Sequence, residues 1–214
     1  MRKSILRNLQ PPKSPLRTDL EVVTVADSTS QILFDVMHSL DLPLTVLDAS
    51  GRPWDYLLKP ILLLEYLSRT TSRYILFLDA ADVIVLGDIN IIVDYLESLN
   101  AQCLFNATIH VATFNAEDAS CEMSRHQPPP FQHLNSGVFI AKVDFLKYFL
   151  EQVFSIYESA KRDGQVSADA GEQTWFRKIH NQLYPASQLD NRCEMFQVVK
   201  TQIEHLISCN ISDS

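Results

Sequence analysis

The stretch RYILFLDAADVIVLGD, residues 73–88, contains an apolar run that ends on two aspartates, Asp79 and Asp82. The run YILFLD predicts a buried strand that ends at Asp79. A straight strand would send residues three apart to opposite faces, whereas a turn through Ala80 and Ala81 could bring both carboxylates to one point. Paired carboxylates suit a hard divalent cation such as Mg²⁺ or Mn²⁺. The alternative is that Asp79 caps the turn and Asp82 is its solvated neighbour.

Apolar runs and helical patterns alternate on both sides of this stretch. Strands are predicted at 20–26, 42–48, 102–108 and 134–141, and helices at 30–40, from about Lys59 to residue 69, at 89–99 and at 143–162. Pro60 fits only the first turn of its helix. Residues between Thr108 and the segment HQPPPF are predicted to be irregular. The alternation indicates an α/β fold: an open, mostly parallel sheet flanked by helices.

One domain is expected, at residues 19–200. Residues 1–18 are basic and contain three prolines, so they are predicted to be a flexible leader, and 201–214 are predicted to be a tail. The four cysteines are scattered, which argues against structural zinc, and Cys103 is expected to be a small buried hydrophobe.

The net charge of -8 over 214 residues argues against nucleic acid as a partner, because phosphate binding needs clustered Lys and Arg. The sequence contains no apolar run of about 20 residues, so no membrane span is expected. A cytoplasmic location follows as an expectation.

Polar residues lie where the predicted strands and helices meet. Asn135, Ser136 and Gly137 interrupt the strand LNSGVFIA and could let a sugar approach the main chain, although a β-bulge without a ligand would give the same pattern. Lys59 could neutralise phosphate or could be a solvated lysine at the start of a helix. Glu172 precedes an amphipathic segment, where the helix dipole alone favours an acidic residue.

The segments EVVTVADS, ILFLDAADVI, LNSGVFIA, GEQTWF and QLDNRCEMFQ, in this order, resemble the glycosyltransferase domain of the procollagen lysyl hydroxylases and related transferases of the GT-A fold. The resemblance spans roughly residues 20–198 and implies a single GT-A, Rossmann-like domain. It also implies a UDP-sugar donor and Mn²⁺ (or Mg²⁺) as the cofactor. The acceptor, whether protein, glycan or small molecule, is not indicated.

The same resemblance implies roles for individual residues. Asp79 and Asp82 would be the metal ligands. Asp169 and Glu172 would be the catalytic acidic residues near the sugar or the acceptor. Residues near the nucleotide or the donor sugar would be Thr24, Ala26, Asp27, Trp54, Lys59, Asn135, Ser136, Gly137 and Gln173.

The chain also differs from that family. It has DAGEQ where related domains carry a run of aspartates before the glutamine, WDYLLK lacks their glycine-rich stretch, and His205 is not followed by glycine as their third metal ligand is. Two functions therefore compete: a metal-dependent glycosyltransferase, and a relative that binds a nucleotide sugar without transferring it. A phosphohydrolase with a strand-end aspartate as nucleophile ranks last, because its D-x-D spacing does not match DAADVI.

Overall fold

Six strands and six helices make up the described part of the chain. The computed structural model describes residues 15–27, 32–53, 55, 57–81, 83–109, 116–125, 131–166 and 170–197. The strands are β1 (Leu20–Ala26), β2 (Thr45–Asp48), β3 (Tyr74–Leu78), β4 (Cys103–Thr108), β5 (His133–Lys142) and β6 (Ser187–Asp190). The helices are α1 (Ile32–Ser39), α2 (Leu58–Leu67), α3 (Ile91–Ser98), α4 (Ala116–Arg125), α5 (Val143–Arg162) and α6 (Glu172–Leu183).

The strands form one mostly parallel sheet in the order β2-β1-β3-β5-β4-β6. Of these six described strands, β5 alone runs against the others, because it pairs antiparallel with both β3 and β4. The predicted α/β class, with an open and mostly parallel sheet flanked by helices, is confirmed, and the arrangement is that of a Rossmann-like domain.

Helices cover both faces of the sheet. On one face, α2, α5 and α6 pack against a core that contains Leu63, Phe149 and Phe176. On the other face, α1 and α3 contribute Leu33, Val36 and Val93 to a second core. Every residue of β3 is buried, as expected for a strand near the middle of a sheet that is covered on both sides.

Most of the predicted elements are present at the expected places. The strand at 20–26 and the helix at 143–162 have the predicted bounds, α2 begins at Leu58 with Pro60 in its first turn, and Cys103 is buried. The second strand is shorter than predicted, since β2 begins only at Thr45. Arg17, within the predicted leader, bonds through its backbone N–H to Asn90 Oδ1 at 2.9 Å.

Two elements correct the sequence analysis. The segment predicted to be irregular contains the helix α4, and β6 was not predicted at all. The reason is the same for both. The inward positions of α4 include a glutamate, Glu122, and those of β6 include Ser187 and Asp190, so neither segment shows the apolar periodicity that reveals a buried element.

Among the described helices, none combines the length and the apolar character needed to cross a lipid bilayer.

Candidate functional site

The candidate site lies at the edge of the sheet where β3 ends. Because β5 runs antiparallel to β3, its first residues lie at that same edge. The backbone N–H of Asp79 donates to the carbonyl of Gly137 at 2.8 Å, so the first aspartate of DAAD lies directly beside the LNSG segment. Carboxyl ends of parallel strands are where ligands bind in open α/β sheets.

A β-bulge shapes this part of β5. Phe105 of β4 pairs with Phe139, but the next residue, Asn106, pairs with Asn135, so residues 136–138 have no counterpart on β4. The N–H of Gly137 donates instead to Oδ1 of Asn135 at 2.8 Å. The bulge predicted as one alternative for LNSG is therefore present, and it lies next to the other predicted site residues.

Gly137 is enclosed by polar atoms. A Cβ at this position would lie 2.9 Å from Oδ1 of Asn135 and 2.9 Å from Oδ2 of Asp79. Real Cβ atoms do not come that close, so any side chain would displace one of these groups. The absence of a side chain at residue 137 therefore allows the close approach of Asp79 to the main chain.

Lys59 reaches the site from the first turn of α2. Its Nζ lies 3.2 Å from Oδ1 of Asp79 and 2.8 Å from Oε1 of Glu172, and its side chain is only 14% exposed. It also lies over the ring of Phe77, 5.1 Å from the centroid. The alternative of a solvated lysine at a helix start is therefore wrong: the ammonium is held inside the site by two carboxylates.

The electrostatic balance favours a charged Lys59. Burial by itself lowers the pKa of the ammonium, but the carboxylates of Asp79 and Glu172 more than offset this, and the pKa is raised above its ordinary value. Lys59 is therefore a fixed positive charge at neutral pH.

Helix α6 contributes two further side chains to the site. Its first two residues are Glu172 and Gln173. The N–H of Ser136 donates to Oε1 of Gln173 at 3.3 Å, and the Ser136 hydroxyl donates to Oε1 of Glu172 at 3.3 Å. Lys59, Asp79, Ser136, Glu172 and Gln173 are together called the polar cluster below.

The polar cluster offers one accessible carboxylate, that of Asp79, as a ligand for a hard cation. It contains one ammonium and two carboxylates, hence an excess of one negative charge, and the Asp79 side chain is 36% exposed. An accessible carboxylate in a negatively charged site fits a Mg²⁺ or Mn²⁺ ion. Within the described ranges, however, no three His, Cys, Asp or Glu side chains are grouped closely enough to bind a metal. Asp82, the predicted second ligand, lies outside those ranges.

Three other predicted site residues that the structure describes, Thr24, Ala26 and Asp27, are not part of the cluster. Thr24 is fully buried on β1, and within the described structure its hydroxyl has no hydrogen-bond partner. Ala26 is also buried, and Asp27 is exposed just after the strand. Trp54 and Asp169 lie outside the described residues.

A second group of charged residues, which was not predicted from the sequence, lies near the cluster. Glu122 of α4 is fully buried and lies 3.0 Å from both His133 Nδ1 and Arg177 Nε. Burial raises the pKa of Glu122 above its ordinary value, although Arg177 and His133 act in the opposite direction. The one sequence signal was Glu122 itself, a charged residue at a core-facing spacing from Ala119.

Fold and site together define an α/β protein with an ion-paired polar site at the carboxyl edge of an open sheet. Comparison of the chain with protein-family models and with curated protein sequences gives no significant match.

Proposed function

We propose that the protein is a metal-dependent glycosyltransferase that transfers a sugar from a UDP-sugar donor. The observation that supports this proposal best is the position of Lys59 between Asp79 and Glu172 at the sheet edge. Three residues from separate segments of the chain meet there. The resemblance to GT-A transferases assigned Asp79 to the metal, Lys59 to the nucleotide and Glu172 to the sugar or the acceptor.

Each residue of the polar cluster has a task in this proposal. Asp79 holds the metal with its carboxylate, and Lys59, 3.2 Å from it, neutralises the diphosphate of the donor. Mn²⁺, when bound, stabilises the negative charge that develops on the UDP leaving group. Gly137, which has no side chain, lets the Asp79 carboxylate lie close to the main chain beside the donor sugar.

In this proposal Glu172 and Gln173, the first two residues of α6, face the donor sugar. A carboxylate and an amide oxygen accept hydrogen bonds from sugar hydroxyl groups. Ser136 contacts both side chains, which limits their rotation. Preorganised acceptors of this kind fix the orientation of the sugar and lower the cost of reaching the transition state.

The second candidate is a protein that binds a nucleotide sugar without transferring it. The observation that favours it is the 2.8 Å contact between Lys59 and Glu172. A carboxylate that is paired with a buried ammonium is a poor general base, so it would not readily remove the proton from the hydroxyl group that receives the sugar. In this case the protein binds the UDP-sugar but does not transfer the sugar.

A thermal melt with UDP, with Mn²⁺ and with both tests the donor site. UDP at about 100 times its dissociation constant stabilises the protein by roughly 2.7 kcal/mol, equivalent to a rise of about 5–10 °C in Tm. A shift that needs both components supports the proposal. No shift under any condition contradicts both candidates. If the shift is present, release of UDP from UDP-sugars, with and without candidate acceptors, separates the transferase from the binding protein.

A further inference from the structure

A network of buried charges joins α4, β5 and α6 next to the polar cluster. Glu122, His133 and Arg177 are 0%, 4% and 3% exposed. Oε1 of Glu122 accepts from Arg177 Nε at 3.0 Å, and Oε2 lies 3.0 Å from His133 Nδ1. Taking such groups out of water is costly, and apolar residues of similar volume would often give equal or greater stability. Stability alone does not explain this network.

The network also binds the main chain of β5. The N–H of Leu134 donates to Oε1 of Glu122 at 3.4 Å, and the carbonyl of Leu134 accepts from the Arg177 guanidinium at 3.5 Å. Both peptide groups of one residue are therefore held by side chains of two helices. Leu134 lies immediately before the bulge that carries Ser136 and Gly137.

Helix α6 contacts the same strand at two places. Arg177 lies four residues after Gln173, so both side chains lie on one face of the helix. Gln173 accepts from the N–H of Ser136, and Arg177 donates to the carbonyl of Leu134, two residues earlier on the strand. Two contacts one helical turn apart fix the position of α6 along β5 and its rotation about its own axis.

We propose that Glu122 and Arg177 are positioning residues that set α6 against the bulge of β5 and thereby place Glu172 and Gln173 in the polar cluster. Apolar side chains in their place would fill the space but would let the helix slide or rotate, since dispersion contacts have little directionality. The effect on position is independent of what the site binds. The expected effect on donor turnover rests on the function proposed above.

Two variants weaken the network to different degrees. Glu122→Gln keeps the shape of the side chain but removes its charge. Arg177→Lys keeps the buried positive charge but loses the guanidinium group, which donates hydrogen bonds to both Glu122 and Leu134. Ser187→Ala is the matched control. It removes another buried polar contact of α6, the 2.8 Å pair with His180, without touching the bulge.

Amide hydrogen exchange of Ser136, followed by NMR, is the first readout. This N–H is bonded to Gln173, so it reports whether α6 stays in place. We expect exchange at Ser136 to become about tenfold faster in Glu122→Gln and in Arg177→Lys than in a Ser187→Ala protein of similar melting temperature. Equal rates in the three variants would overturn the proposal. If Glu122→Gln does not fold, Arg177→Lys gives the answer.

Release of UDP from UDP-sugars is the second readout. The two network variants should lower kcat about tenfold and leave the dissociation constant of UDP with Mn²⁺ within about twofold, because Glu172 and Gln173 face the sugar and not the nucleotide. Ser187→Ala should change neither quantity.

If the wild-type protein does not bind UDP, the proposed function is contradicted, but the exchange experiment still tests the positioning role. Turnover equal to wild type in both network variants would contradict the positioning role.

Discussion

Lys59 and Glu172 meet at 2.8 Å although each lies in the first turn of a different helix, α2 and α6. An acidic residue is favoured at a helix N-terminus, where the dipole is positive, but a lysine is not. Lys59 therefore occupies an electrostatically unfavourable position in its own helix. Its two carboxylate partners compensate for this, and local rules that are broken in this way are typical of functional sites.

Asp79→Asn should abolish metal-dependent nucleotide binding with little loss of stability. The amide cannot supply the charge that a hard cation needs, while Lys59 keeps its closer partner Glu172. We expect UDP affinity in the presence of Mn²⁺ to fall at least about tenfold and the free energy of unfolding to fall by about 1 kcal/mol. Calorimetric titration and urea denaturation measure the two quantities. Asp144→Asn, an exposed aspartate at the start of α5, is the control. Unchanged UDP affinity would refute the metal role.

Lys59→Met should destabilise the protein clearly. The methionine side chain fills the space of the aliphatic part of the lysine side chain, but it leaves the carboxylates of Asp79 and Glu172 without a cation between them. Loss of one partner from a fully buried pair costs about 3–5 kcal/mol, and we expect about 2 kcal/mol here because Asp79 is 36% exposed. Urea denaturation gives the value.

The matched control for this variant is Arg52→Met. Arg52 pairs with Glu65 on the surface, where the two side chains are 43% and 55% exposed, so its loss should cost less than about 0.5 kcal/mol. Similar losses in the two variants would mean that the buried pairs of Lys59 contribute no more than a surface pair does.

Gly137→Ala should disturb the site because its Cβ would lie 2.9 Å from both Asp79 and Asn135. Forcing these groups apart should cost about 1–3 kcal/mol and should reduce UDP binding in the presence of Mn²⁺. Thermal melts with and without the two ligands measure both effects. Gly87→Ala is a suitable control, since a Cβ at residue 87 would meet nothing within 4 Å. A Gly137→Ala protein that behaves like Gly87→Ala would show that the enclosure of Gly137 has no energetic consequence.

Tyr74 should make the protein sensitive to alkaline pH. Burial, together with the hydrogen bond to Glu97, raises the pKa of Tyr74 to about 12. Below about pH 10 the phenol is protonated in both the folded and the unfolded states, and its contribution to stability is intact. Between pH 10 and 12 the unfolded state loses this proton first, so the contribution falls as the pH rises.

The comparison of wild type with Tyr74→Phe isolates this effect. By pH 12 the wild type should have lost about 2–3 kcal/mol more of its unfolding free energy than the variant has, since phenylalanine keeps the buried ring and cannot ionise. Urea denaturation at pH 8, 10 and 12 provides the measurement. Parallel pH profiles of the two proteins would contradict a raised pKa for Tyr74.

Sequence patterns predicted the parts of the fold that are rich in apolar residues. β1, β3 and α5 bury dense apolar runs, so periodicity located them almost to the residue. In α4 and β6 the buried side chains include Glu122, Ser187 and Asp190. The partners of Glu122 and Ser187 lie on other elements, and Asp190 accepts from backbone N–H groups of the loop that follows β6. A pattern based on hydrophobicity cannot detect burial that depends on hydrogen bonds and ion pairs.

The same distinction holds within the candidate site. A site at the sheet edge was predicted because polar residues at a strand end or within an apolar strand are visible in the local sequence. These residues are Asp79, Asn135, Ser136, Gly137 and Glu172. The burial of Lys59 could not be predicted in the same way. It depends on Asp79 and on Glu172 far along the chain, and only the folded structure brings them within 3.2 Å and 2.8 Å.

The reversed direction of β5 affects how functional residues should be sought in such a chain. In a strand parallel to β3, residues at the site follow the apolar run, as Asp79 does. In β5 the site residues Asn135, Ser136 and Gly137 come before the run VFIA, because this strand starts at the edge where β3 stops. A search for polar residues only after hydrophobic segments would find Asp79 and overlook Asn135, Ser136 and Gly137.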